Sequence, residues 1–151
     1  MYEVPRWIEV EQLECRHSLI RSIWSVWRAL RRAGPDLTVS FLTPSNIANI
    51  IASTLLGIPA VISERVNTSS HLGTGVGAAV ARLLVEATYP KARRIIAVSE
   101  GVADDLHASF GVRSDRMTVI ANPIDLDAIR AQAGSGAPLP IDRPYAVTMG
   151  R

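Results

Sequence analysis

Carboxylate, guanidinium and amide groups crowd one short stretch, "SERVN" over residues 63–67, where Ser63, Glu64, Arg65 and Asn67 follow an apolar run. Such a set suits a polyhydroxyl ligand, and Thr68 would extend it. The plainer alternative is that Glu64 and Arg65 pair with each other at the surface, an arrangement worth about 0–1 kcal/mol. A second stretch, "VSEG" over 98–101, offers Ser99 and Glu100. Here much of the pattern is helix chemistry. Ser99 reads as an N-cap, and Glu100, Asp104 and Asp105 favour the positive end of the helix that follows. Only Ser99 and Glu100 are expected to face outward with Glu64, Arg65 and Asn67.

Other chemistries find less support. His17, His71 and His107 show no metal-ligand spacing and Cys15 is the lone cysteine, so no metal site is expected. There is no G-x-S-x-G elbow and no Walker loop. "GTGVGA" places Gly73, Gly75 and Ala78 as a G-x-G-x-x-A run with Glu100 further on, which imitates a dinucleotide fingerprint. In such a fingerprint the glycines turn the chain directly after a strand. Here a polar loop separates Ser63 from Gly73, and a flexible lead-in to a helix is the better reading.

The elements that position these groups alternate. A helix spans 13–33, with Ile20, Ile23, Trp24, Trp27 and Leu30 at helical spacing and Gly34-Pro35 as its stop. Strands are expected at 37–42, 60–63, 94–99 and 117–121, and helices at 46–56, 77–88, 100–110 and 126–131. The strands are continuous apolar runs, the mark of a parallel sheet covered by helices on both faces. Right-handed crossovers then bring "TPSN", "ERVN", "SEG" and "NPID" to one edge, the C-terminal ends of the strands, where open α/β sheets bind ligands.

Hydrophobic residues make up 48% and charged residues 20% of the 151, a globular rather than disordered composition. A net charge of only +2 gives no bulk attraction to nucleic acid. One cysteine forms no internal disulfide, which fits a reducing compartment. The most apolar region, 41–62, is interrupted by Pro44, Asn46, Asn49 and Pro59 and is no membrane span. Arg16, Arg21, Arg28, Arg31 and Arg32 accompany Trp24 and Trp27 on the first helix, with Trp7 upstream. A basic helix with tryptophans can lie in a membrane interface, although the same pattern suits a helix packing its rings on a sheet. The expected location is cytoplasmic, or peripheral on the inner face of the cytoplasmic membrane.

Three segments, "GPDLTVSFLTPSNIANIIASTLLGIPAVISER", "ARRIIAVSEGVADDL" and "RMTVIANPIDLDAI", followed by "YAVTMGR", resemble the retaining glycosyltransferases of family 4 in order and spacing. The resemblance implies the N-terminal half of a GT-B architecture, in which two Rossmann-like domains face each other across a cleft. Residues 1–132 then form the acceptor-binding domain with its first strand missing, 133–144 an interdomain linker, and 145–151 the first strand of a truncated donor domain. Gly150 and Arg151 match the Gly-Arg turn that meets the donor diphosphate. The donor implied is a UDP- or GDP-sugar, with no further cofactor. Glu64, Arg65, Asn67, Ser99 and Glu100 become acceptor candidates.

The departures matter too. A lysine after the Gly-Arg turn and an E-x7-E segment would lie beyond Arg151, so this chain alone is expected to be inactive. The position where many relatives carry a histidine holds Glu64 or Arg65, so that histidine's role does not transfer. Relatives with an "SER" segment often act on polyprenyl-linked sugars in polysaccharide or glycan assembly, which would suit a membrane contact through the 13–33 helix. Two rivals stand beside this reading: a non-catalytic α/β module that binds glycans or membranes, and a fragment of an NAD-dependent oxidoreductase built on "GTGVGA".

Overall fold

A computed structural model describes residues 4–15 and 18–135 of the chain. They fall in two compact units, residues 1–121 and 122–151. In the first unit the order is α1 (Leu19–Ala33), β1 (Thr38–Phe41), α2 (Thr43–Leu56), β2 (Ala60–Glu64), α3 (Thr68–Leu72), α4 (Val76–Thr88), β3 (Arg94–Ala97), α5 (Glu100–Phe110) and β4 (Met117–Val119). In the second, α6 runs from Leu126 to Ser135 and Asp125 accepts from the Ala128 amide at 2.9 Å.

The four strands make one sheet in the order β1-β2-β3-β4, all parallel. This is the expected Rossmann-like α/β fold. Register sets the two faces, because side chains alternate along each strand. Ser40, Ile62, Ile95 and Met117 stand level and point one way; Phe41, Ser63, Ile96 and Thr118 point the other. The first face carries the core. Ile62, Ile95 and Ala97 are wholly buried with Ile47 and Ile50 of α2, Val85 of α4, and Leu106 and Phe110 of α5. On the second face Val39 and Phe41 remain 53% and 48% exposed. Among the described residues the connecting helices α2, α4 and α5 pack on one face, not on both as expected, because the strand order β1-β2-β3-β4 makes every crossover step in the same direction.

Local signals explain the helix ends. Ser18 accepts from the Arg21 amide at 3.5 Å, so α1 begins six residues later than the apolar spacing suggested. Ser99 accepts from the Val102 amide at 3.3 Å and Gly111 closes α5 in the left-handed conformation. α2 also starts earlier than expected, at Thr43, with Pro44 in the first turn where its missing N–H is harmless. α3 falls within a stretch read as loop. It is one short turn of helix, capped by Asn67, whose polar residues give no apolar period to detect.

α6 reaches Ser135, which carries helix into the start of the expected 133–144 linker. The rest of that linker, the expected strand 145–151, Gly150 and Arg151 lie outside the described residues.

Candidate functional site

The site is built at the C-terminal edge of the sheet. Glu64 is level with Ala97 on the neighbouring strand, and the Val98 amide donates to the Glu64 carbonyl at 3.3 Å. The turns after β2 and β3 therefore lie side by side, about 5 Å apart at the strand ends. The turn after β1 joins them, since the Leu42 amide donates to the Ser63 carbonyl at 3.2 Å. Leu42 holds φ 72° and ψ 143°, a left-handed setting that strains a branched side chain by about 1–3 kcal/mol. This is the only non-glycine with positive φ among the described residues, and it falls at this edge.

Glu64 corrects the expectation that it meets an acceptor directly. It is 0% exposed. Its parity is the reason: Ala60, Ile62 and Glu64 share the core face, so the last strand residue turns its carboxylate under α2. There Thr43 Oγ1 donates at 3.2 Å to both oxygens, Asn46 Nδ2 at 3.4 Å to Oε2, and the Tyr89 hydroxyl to Oε2. The Arg65 amide reaches Oε1 at 3.3 Å. Every contact is a donor, which an acceptor-only carboxylate needs, and no cationic side chain bonds it among the described residues. Burial, and then the negative charge of Glu64, push the Tyr89 hydroxyl far above the ordinary phenol value, so it stays a donor.

The hub continues along α2. Asn46 also donates to the Ser63 carbonyl at 3.0 Å and accepts from Ser40 Oγ at 2.8 Å. Asn49 donates to Ser40 at 3.2 Å, Ser53 to Asn49 at 3.1 Å, and Thr38 and Ser53 share a bond of 3.0 Å. A polar seam thus fastens α2 to β1 and β2. Polar groups without water are stable only when paired in this way.

Arg65, one residue on, turns to the opposite face and lays its guanidinium over the Phe41 ring at 5.0 Å. The surface ion pair with Glu64 does not form. Asn67 is exposed but its Oδ1 is engaged by the Ser69 hydroxyl at 3.0 Å and the Ser70 amide at 3.2 Å. Ser99 is exposed and serves as the α5 cap. Glu100 is exposed in the first turn of α5, and no side-chain donor holds it among the described residues. Of the charged residues expected at the site, Arg65 rests on Phe41 with its N–H groups unpaired, and Glu100 has no side-chain partner, among the described residues.

Asp105 links the two turns. It accepts from the Ser69 amide at 2.9 Å and from the Ser109 hydroxyl at 3.1 Å. Burial raises its pKa, but the hydrogen bonds from Ser69, Ser109 and Thr68 outweigh that and hold it below the usual carboxylate value. The sequence assigned Asp105 to the helix dipole and gave Tyr89, Thr43 and Asn46 no site role. Tyr89 is 25 positions from Glu64, and nothing in its "ATYP" setting announces the partner.

The glycine run behaves as a lead-in. α3 stands between β2 and Gly73, and Gly75 (φ 106°) opens α4, so the glycines do not turn the chain directly after the strand. Among the described residues no group of three or more His, Cys, Asp or Glu side chains is placed to hold a metal ion.

Comparison with known proteins adds three findings. The family model for Glycosyltransferase Family 4 matches residues 2–128. No curated protein matches the sequence. Among solved structures, S. aureus MnaA in complex with UDP is similar in fold, with a TM-score of 0.51 and 19% identity over 95% of this chain. The chain spans 35% of that protein's length.

Proposed function

The chain belongs to glycosyltransferase family 4, and from that premise we propose that it is the acceptor-side domain of a retaining enzyme with a GT-B architecture. The full enzyme transfers a hexosyl group from a nucleotide-diphosphate sugar. The donor is a UDP- or GDP-sugar, a reading helped by the UDP in the structurally similar S. aureus MnaA. Residues 133–144 link the domains, and Gly150 and Arg151 begin the donor diphosphate site. Cationic side chains such as Arg151 stabilise the departing diphosphate, so the proposal needs no metal.

One observation carries the acceptor assignment. Arg65 and Glu100 are exposed on adjacent turns with no hydrogen-bond or ion-pair partner for either side chain among the described residues, and the Arg65 amide is tied to the buried Glu64 carboxylate. A guanidinium donates to sugar hydroxyls and a carboxylate accepts from them, and Asn67 Nδ2 and the Ser99 hydroxyl on the same two turns add to that set. Glu64 is a positioning residue beneath the turn that carries Arg65. Rigid support of this kind is what precise binding geometry requires.

The acceptor is a sugar or a lipid-linked sugar, with a polyprenyl carrier in polysaccharide or glycan assembly as the specific proposal. α1 supports it. Ile20 and Trp24 are 80% and 58% exposed, Trp24 stacks on Trp27 at 5.0 Å, and Arg31 lies 5.2 Å above the Trp27 ring. Apolar rings beside arginines suit an anionic interface on the cytoplasmic side. No helix among the described residues is long and apolar enough to cross a membrane.

The test is sugar transfer from radiolabelled UDP- and GDP-hexoses to a polyprenyl-diphosphate sugar. A protein carrying this chain followed by a donor-binding half should transfer with retention, and the chain alone should not. Transfer by the chain alone, or none by the longer protein with any donor, would refute the reading.

A further inference from the structure

At the opposite edge of the sheet, where β2, β3 and β4 begin, the surface folds into an open cavity of about 470 Å³. Four lining side chains are cations: Lys91, Arg93, Arg94 and Arg116. The lining acid, Asp115, is already engaged, because Arg113 grips it at two points, 2.9 and 2.6 Å. With four cations against one acid, a net of +3, the lining carries more positive charge than the +2 net of the whole chain.

Part of the cluster is structural. Arg116 Nη1 donates to the carbonyls of Pro90 at 2.6 Å and Ala92 at 3.4 Å, and Arg94 Nη1 to that of Asp115 at 2.5 Å. Cations there also offset the negative end of α4. Those duties leave Lys91 and Arg93 over. Neither side chain has a hydrogen-bond or ion-pair partner among the described residues. The two anchored guanidiniums keep further N–H groups unused, since each has five.

We propose that this cavity is a binding site for a phosphoryl group, held by Lys91, Arg93, Arg94 and Arg116. Four converging cations repel one another, and a doubly charged anion reverses that balance while supplying oxygens for charge-assisted bonds. Anchored arginines offer the planar donors that phosphate oxygens match, and the freer lysine adds a point charge. About 13 Å of strand separates this edge from the turns holding Arg65 and Glu100. The ligand is therefore an effector or an anchor, independent of the transfer reaction. It can be a free phosphorylated small molecule or the headgroup of an anionic lipid.

The experiment titrates inorganic phosphate into the purified chain at low ionic strength, followed by backbone amide NMR. Residues 91–94 and 115–116 should shift and saturate. The double variant Lys91→Gln/Arg93→Gln breaks no internal bond, so it should keep the native Tm and bind phosphate about tenfold more weakly. Phosphatidylglycerol and phosphatidylcholine vesicles then separate the sources. Sedimentation with the anionic vesicles alone, lost in the double variant, identifies a lipid headgroup. Saturable phosphate binding without vesicle retention identifies a free phosphorylated ligand. Shifts that do not saturate, or that persist unchanged in the double variant, overturn the proposal.

Discussion

The same dipeptide, Ser-Glu, stands at the end of one strand and just past the end of its neighbour, and does two different things. At the end of β2 it is Ser63-Glu64, with the glutamate buried under α2 and surrounded by donors. After β3 it is Ser99-Glu100, with the serine capping α5 and the glutamate facing solvent. Register separates them. Glu64 is level with Ala97, so the second pair begins two residues past the level where the first one ends. A carboxylate still inside the strand must follow its parity into the core, whereas one beyond it enters the helix as an exposed first-turn residue. The pair thus divides the labour of the edge between support and contact.

The largest expected effect is on the support side. Glu64→Ala removes the acceptor for Thr43, Asn46 and Tyr89 together and leaves a void, so it should lower unfolding free energy by about 3–5 kcal/mol. Urea denaturation measures this, and a loss under 1 kcal/mol would break the contrast with Glu100. Tyr89→Phe takes one donor from the hub and should cost about 1–3 kcal/mol by the same method. A value as small as a surface substitution would place the tyrosine outside the network.

Ser99→Ala probes the other turn. It loses only a cap, so the drop should be about 1 kcal/mol, smaller than either hub variant. Asp105 gives the smallest effect, visible as a pH dependence. Its folded pKa is depressed, so its stabilisation is complete above the ordinary carboxylate range and is lost as pH falls through the folded value. Asp105→Asn should therefore flatten the acid limb of the stability curve. An unchanged limb would mean that the bond from Asp105 to the Ser69 amide contributes nothing.

Much of the frame was legible because it depends on short-range signals. Gly34, Gly57 and Gly111 mark helix ends where the left-handed conformation occurs, and continuous apolar runs mark buried parallel strands. The site was legible by place but not by role. The C-terminal edge follows from topology alone, yet the burial of Glu64 depends on which face its strand turns to the helices. The alternation Ala60, Ile62, Glu64 holds that information, but Val61 and Ser63 between them blur the apolar pattern. Tyr89 and the strain at Leu42 depend on partners distant in sequence or on backbone geometry, which no local pattern encodes. The bare face bearing Val39 and Phe41 was equally hidden, since strand order and not composition decides where the crossovers lie.

The most direct test of this division is acceptor kinetics in a protein that carries the chain together with a donor-binding half. The account predicts that Arg65→Ala and Glu100→Gln each raise the acceptor KM about tenfold while leaving Tm and the donor KM unchanged. Acceptor KM values that stay native in both variants would contradict it.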